Sequence, residues 1–214
     1  MNNELKNMYE KNVSRFISIR NQFIDDDLPG PFLMSPNELY FKQKNRLMII
    51  GQQTYGWSYK ENDVEYQMKH YEEFNVGETY HPSPFWNITR KVENAIGNDN
   101  YSCAWTNLNK FDLEEGKPYG KYETAIAQLD NILLEEISIL KPNICIFFTG
   151  PSFDFRLSAL FKDVKFNETE GWPTRQLCQL SHPSLPEKSF RTFHPKYLRI
   201  KYIEDDFIDF MKNL

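Results

Sequence analysis

The sequence predicts an α/β fold: a three-layer α/β/α sandwich around a short central parallel sheet. Two observations carry this expectation. Short apolar runs, RLMIIG at 46–51, YSCAWTNL at 101–108 and NICIFFTG at 143–150, each end in glycine or polar residues, as buried strands of a parallel sheet do. Segments of helical periodicity separate these runs, and strands that alternate with helices pair in parallel through crossovers. In such sheets a ligand lies beyond the carboxyl ends of the strands, so the residues just after each run are the first place to look for function.

Over 4–23, Leu5, Met8, Tyr9, Val13, Phe16, Ile17 and Ile19 recur at mostly helical spacing and predict an amphipathic helix. Asp25, Asp26, Asp27, Pro29, Gly30 and Pro31 then end it. The strand at 46–51 delivers a loop into a long polar and aromatic segment, 55–81. Ser83, Pro84 and Phe85 open a helix that runs through Ile88, Val92 and Ile96 to Gly97, with proline at a position where a helix start tolerates it. After the strand at 101–108, a helix over 122–140 presents Ile126, Leu129, Ile132, Leu133, Ile137 and Leu140 on one face until Lys141 and Pro142 stop it. The strand at 143–150 follows, then a short helix at 155–161, an irregular stretch through Gly171, Trp172 and Pro173, a strand at 189–193, and a closing helix over 197–212. No repeat or linker divides the chain, which reads as one domain over 1–214 with 1–40 as a helical extension packed on it.

With 214 residues and a hydrophobic fraction of 40% the chain can build one core. Aromatics make up 15%, giving many rings to bury or to stack on a ligand. Cys103, Cys145 and Cys178 are odd in number and widely spaced, which argues against a disulfide scaffold or a structural metal. The opening MNNELKNMYEKNVSRF is charged where a secretory signal is apolar, and no run approaches the ~20 apolar residues of a membrane span. A cytoplasmic monomer without membrane contact is therefore expected. The net charge of -5 speaks against strong general affinity for DNA. Lys188, Arg191, Lys196, Arg199 and Lys201 nevertheless form a basic stretch ahead of the acidic Glu204, Asp205, Asp206 and Asp209; a solvated charged surface is the plainer reading.

Three strand ends line up as candidate chemistry: Gly51-Gln52-Gln53-Thr54-Tyr55-Gly56, Thr106-Asn107-Leu108-Asn109-Lys110, and Phe193-His194-Pro195-Lys196-Tyr197-Leu198-Arg199. Their order, spacing and strand context over 44–212 resemble the uracil-DNA glycosylase superfamily, in which a glycine-led motif, an Asn-bearing motif and a His-Pro motif follow successive strands. The likeness is nearest to the bacterial iron-sulfur branch, whose T-N-V-V-K and F-H-P-S-Y-L-L-R segments compare with TNLNK and FHPKYLR here. The four cysteine ligands of that cluster are not supplied, so no cofactor is expected.

The resemblance implies a fold, an activity and a set of roles. The activity is hydrolysis of the N-glycosidic bond of uracil or another modified base in DNA, as in DNA repair, after the base has been flipped out of the stack. Phe85 would stack on the base and Asn107 would read its edge, since an amide both donates and accepts. Gly51, Gln52, Tyr55 and Asn109 would complete the binding surface, and Lys196 and Arg199 would meet DNA phosphates. His194 would stabilise the charge gathering on the departing base. Ser181-His182-Pro183-Ser184 is a competing His-Pro motif; His194 is preferred because a strand leads into it and a helix follows.

Gln53 stands where relatives, with G-Q-D-P-Y or G-E-x-P-G patterns, carry an acid that positions the attacking water. A glutamine cannot act as a base, and general-base help is worth about 10²–10⁴ in rate. Glu78 and Asp112 lie in segments able to approach the site, and the sequence does not choose between them. Bland alternatives stand beside each role: Phe85 and Tyr55 as packed aromatics and Asn107 as a turn cap. The rival to an enzyme is a catalytically silent module of the same fold that binds nucleic acid, a nucleotide or a protein partner. A different α/β hydrolase or transferase lacks a G-x-S-x-G, P-loop or dinucleotide motif to support it.

Overall fold

A computed structural model of the chain describes residues 1–26, 28–57, 62–80, 82–113 and 116–214. Asp27, and Tyr59 and His81 of the aromatic segment 55–81, lie outside the described residues.

The apolar runs at 46–51, 101–108 and 143–150 form β1 (Leu47–Gly51), β2 (Ala104–Asn107) and β3 (Ile144–Phe147), with every residue buried. With β6 (Lys188–Thr192) they make a parallel array in the order β2-β1-β3-β6. The sheet is wider than expected and not purely parallel. Beyond β6 it continues through β5 (Leu177–Ser181), antiparallel to β6, and β4 (Lys165–Glu168), antiparallel to β5. These two strands fall in the stretch expected to be irregular. β4 is a half-exposed KFNE with little apolar signal, and the Gly171-Trp172-Pro173 turn that separates the strands dominates the local sequence.

Helices flank the sheet in two groups: α1 (Asn2–Gln22) contacts α3 (Val64–Phe74) and α6 (Asn131–Leu140), while α4 (Pro84–Ala95), α8 (Pro195–Ile200) and α9 (Glu204–Lys212) pack on one another. Short α2 (Glu38–Lys42), α5 (Lys121–Ile126) and α7 (Asp154–Leu160) complete the set among the described residues. Buried residues from Leu5 to Met211 belong to one core cluster, so the N-terminal helix shares the core of the rest.

Two expected helices are broken. The span 122–140 is α5, a 3₁₀ turn at Ala127–Leu129, and α6. The closing span divides at Tyr202, whose φ of 56° is left-handed while the Ile203 amide returns to the Leu198 carbonyl at 3.0 Å, a helix-ending arrangement usually marked by glycine. The helix α3 falls in the segment 55–81, which reads in the sequence only as polar and aromatic. Its signals were Asp63, whose side chain caps the Tyr66 amide at 2.9 Å, and the spacing of Val64, Met68 and Tyr71, all buried on one face.

Candidate functional site

The parallel strands all end at one edge of the sheet. Gly51 pairs with Asn107 in register, and the zipper continues past the strands with Leu108 N donating to Gly51 O at 3.1 Å and Asn109 N to Gln52 O at 2.9 Å. A side chain at Gly51 would meet Asn107 Oδ1 at 2.2 Å and Phe85 Cε2 at 3.6 Å. Only glycine lets the Asn107 amide lie over β1, and the Phe85 ring closes on the same spot.

Beyond this edge lies a pocket of about 430 Å³, within the roughly 300–1,000 Å³ typical of small-molecule sites. Gln52, Gln53, Thr54, Tyr55, Phe85 and His194 line it together with Trp57, His70, Phe74, Tyr80, Trp86 and Trp105. The structure therefore brings residues 52–56 of the first motif, His194 of the third and Phe85 to one cavity, while no residue of the second motif is among those lining it. Phe85 is held by α4, which starts where expected: Ser83 caps the Trp86 amide at 3.3 Å and Pro84 occupies the first turn. Its ring packs against Trp105, Phe148 and the His194 imidazole, with centroids about 6 Å apart.

His194 is the residue before α8 and caps it, Nδ1 accepting from the Lys196 backbone N–H at 3.2 Å. An amide can only donate, so Nδ1 carries no proton and the neutral ring holds its hydrogen on Nε2. Burial first, and the nearby Lys196 charge second, lower its pKa to about 4. A neutral Nε2–H donor at physiological pH is the result. His182 follows β5, which runs opposite to β6, so it emerges away from the edge where the pocket lies; its Nδ1 accepts from Ser184 N at 3.1 Å.

Asn107 is 1% exposed, and neither its Oδ1 nor its Nδ2 has a hydrogen-bond partner. It lies against Gly51 and near Phe85 and is not among the residues lining the open cavity. A buried amide left unpaired costs about 1–3 kcal/mol for each unsatisfied group, so Asn107 holds a donor and an acceptor that the protein itself does not use. Gln53 Oε1 and Trp105 Nε1 are likewise buried without a partner and belong to pocket-lining residues.

The remaining named residues have other work. Gln52 ties the β1 loop to β3, its Nε2 donating to Thr149 O at 2.7 Å. Asn109 is outside the pocket lining: its Oδ1 accepts from Arg156 at 2.6 Å, and Arg156 is in turn paired with Asp130. Tyr55 stands at the rim, 74% exposed, rather than packed in the loop. Asp112 is fully buried and shapes the loop, with Oδ2 accepting from Thr54 Oγ1 at 2.6 Å, Gly56 N at 3.0 Å and Trp57 N at 3.3 Å. Glu78 is exposed, bonded to Asn75 Nδ2, and does not line the pocket.

Lys196 is exposed on α8, but Arg199 is bound to Glu204 at 2.7 Å. Of the rest of the basic stretch, Arg191 is buried against Asp154 at 2.9 Å and Lys188 reaches the Leu214 carbonyl. Arg191, Arg199 and Lys188 are thus engaged within the protein, whereas Lys196 and Lys201 are exposed. Lys110, the last residue of the second motif, is 1% exposed, with Nζ 2.6 Å from Glu136 and 2.7 Å from Thr106 Oγ1. Glu136 also accepts from Tyr9 OH at 2.6 Å and Thr106 Oγ1 at 2.8 Å. The network clamps the β2 end on both sides of Asn107.

Trp57, Phe74 and Tyr80 belong to an aromatic segment whose density fits a stacking platform or, more simply, local packing, whereas nothing in the sequence marks His70, Trp86 and Trp105 as pocket residues. Ring density over 57–81 was the visible signal, and its placement needed α3. In that segment Tyr71 turns inward and its hydroxyl accepts from Trp105 N at 2.9 Å, whereas Trp57, Phe74 and Tyr80 form pocket wall.

The fold thus defines an α/β protein with a six-strand, mostly parallel sheet and an aromatic pocket beyond the strand ends. In comparison with known proteins, no family model matches the chain, and no curated protein aligns with it significantly. Among the described residues no helix is long and apolar enough to cross a membrane.

Proposed function

We propose that the pocket receives a modified base swung out of DNA and that the protein hydrolyses its N-glycosidic bond. The observation that carries this reading is the convergence of Phe85, Gln53 and His194 on one cavity beside the partnerless amide of Asn107. Phe85 replaces the stacking that the base loses on leaving the helix. Asn107 offers a donor and an acceptor to the base edge once the Phe85 ring yields to the ligand. When the bond from C1′ to the base nitrogen breaks, its electron pair goes to the base, and the Nε2–H of His194 donates to the oxygen where charge gathers. Such a donor is worth about 3 kcal/mol in the transition state. Water adds to C1′, oriented by the Gln53 carbonyl oxygen, and loses its proton to solvent.

One observation favours the silent-module reading. Among the described residues the pocket lining contains no carboxylate, and Asp112 Oδ2 is committed to the loop. Oligonucleotides bearing uracil, hypoxanthine, xanthine and bulkier modified bases, single- and double-stranded, separate the two. Abasic sites that appear with the wild type and vanish with His194→Ala and Asn107→Ala support the enzyme. Binding without product, with activity gained in Gln53→Asp, supports the silent module; neither product nor binding at high protein concentration defeats both.

A further inference from the structure

We propose that the pocket selects a base of two or more fused rings over a single pyrimidine ring, with Trp57, His70, Phe74 and Tyr80 as the specificity-determining wall. This rests on the reading of the pocket as a base site and names the class of base.

The aromatic lining extends well past the residues that one ring would need. Centroids step from His194 to Phe85 at 5.9 Å, from Phe85 to Trp105 at 6.0 Å, from Trp105 to Trp57 at 5.9 Å and from Trp57 to His70 at 4.5 Å. Phe74 sits between the halves, 5.6 Å from Trp105 and 5.6 Å from Tyr80. These separations are those at which rings stack or meet edge to face, so the wall is continuous. Among the described residues, a ring on Phe85 near His194 would leave the half bounded by Trp57, His70, Phe74 and Tyr80 unfilled.

The chemistry of that half suits a second ring better than a sugar or phosphate. Four ring systems present faces and edges, and no cation belongs to this part of the lining among the described residues. His70 stacks parallel to Tyr66 at 6.4 Å and meets Trp57 edge-on. Burial lowers its pKa, which keeps the imidazole neutral near pH 7, able to donate from one nitrogen and accept at the other. An extended heteroaromatic base, with polar atoms on its outer ring, is the occupant whose shape and polarity match.

The tryptophans in the wall allow a direct test by emission quenching, with uracil, hypoxanthine and 1,N6-ethenoadenine as free-base probes. Hypoxanthine or ethenoadenine is expected to bind at least tenfold more tightly than uracil. Tyr80→Ala and His70→Ala should weaken the larger bases at least fivefold and leave uracil within twofold. His70→Trp, which fills the outer half, should exclude the larger bases and keep uracil, a pattern that misfolding would not produce. Uracil binding as tightly as the fused bases, or fused-base affinity indifferent to all three substitutions, overturns the inference and leaves the base-site reading intact. Absence of binding by every probe overturns both.

Discussion

His194 and Asn107 show in opposite ways how function is written into single side chains. The unfolded chain protonates a histidine near pH 6.5, whereas burial delays His194 to about 4. Between those values the unfolded state binds the extra proton, so acidification destabilises the fold, by up to about 3 kcal/mol, and the loss disappears above pH 7. Urea melts at pH 7, 6 and 5 should show this slope reduced in His194→Gln; equal slopes in both proteins would mean that His194 titrates normally. Asn107 is a polar group buried without partners. Asn107→Leu is therefore expected to leave stability unchanged or raise it by about 1 kcal/mol while abolishing base binding, measured by denaturation and quenching on the same preparation. Destabilisation by several kcal/mol would instead make Asn107 a structural residue. Both residues were visible in the sequence through their motifs, TNLNK and FHPKYLR. The partnerless state of one and the fixed tautomer of the other were not, because each depends on what packs against it from distant segments.

Among the elements, β2 and the loop beyond it have the strongest internal support. Glu93 of α4, buried, accepts from Ser102 N and Cys103 N at 2.8 Å and Tyr101 N at 3.2 Å, fastening the entry to the strand. Lys110, Glu136, Thr106 and Tyr9 fasten its exit and join it to α1 and α6. Burial lowers the Lys110 pKa against the opposing pull of Glu136, so the ion pair is costly to bury and more costly to break. Lys110→Met alone should lose about 3–5 kcal/mol, and the double change Lys110→Met/Glu136→Leu should recover most of it, as read from chemical denaturation. Recovery of nothing would show that packing, rather than the stranded carboxylate, sets the cost. Lysine is rarely buried, and nothing in the residues around Lys110 marks it as an exception. Its partner lies 26 positions away, and no local pattern reports such a distance.

For the whole molecule, charge decides how DNA would be held. The net charge is -5, and three members of the basic stretch are occupied by Asp154, Glu204 and the Leu214 carbonyl. Oligonucleotide binding should then depend weakly on salt, with a log–log slope of about -1 to -2 on single strands. Lys196→Ala should reduce it by about 0.7, the share of one phosphate; a slope steeper than about -4 would reveal a basic surface elsewhere. The sequence by itself determined the α/β class, the parallel strands β1, β2, β3 and β6, the start of α4, and the residues Gly51, Gln53, Phe85 and His194 at a common edge, because apolar runs, caps and strand-end motifs are local signals. Tertiary structure alone decided the antiparallel extension through β4 and β5, the breaks in the two long helices, the engagement of Arg191 and Arg199, and the aromatic wall from Trp57 to Tyr80. Those features arise where a weak local preference is settled by packing and pairing between segments far apart in the chain.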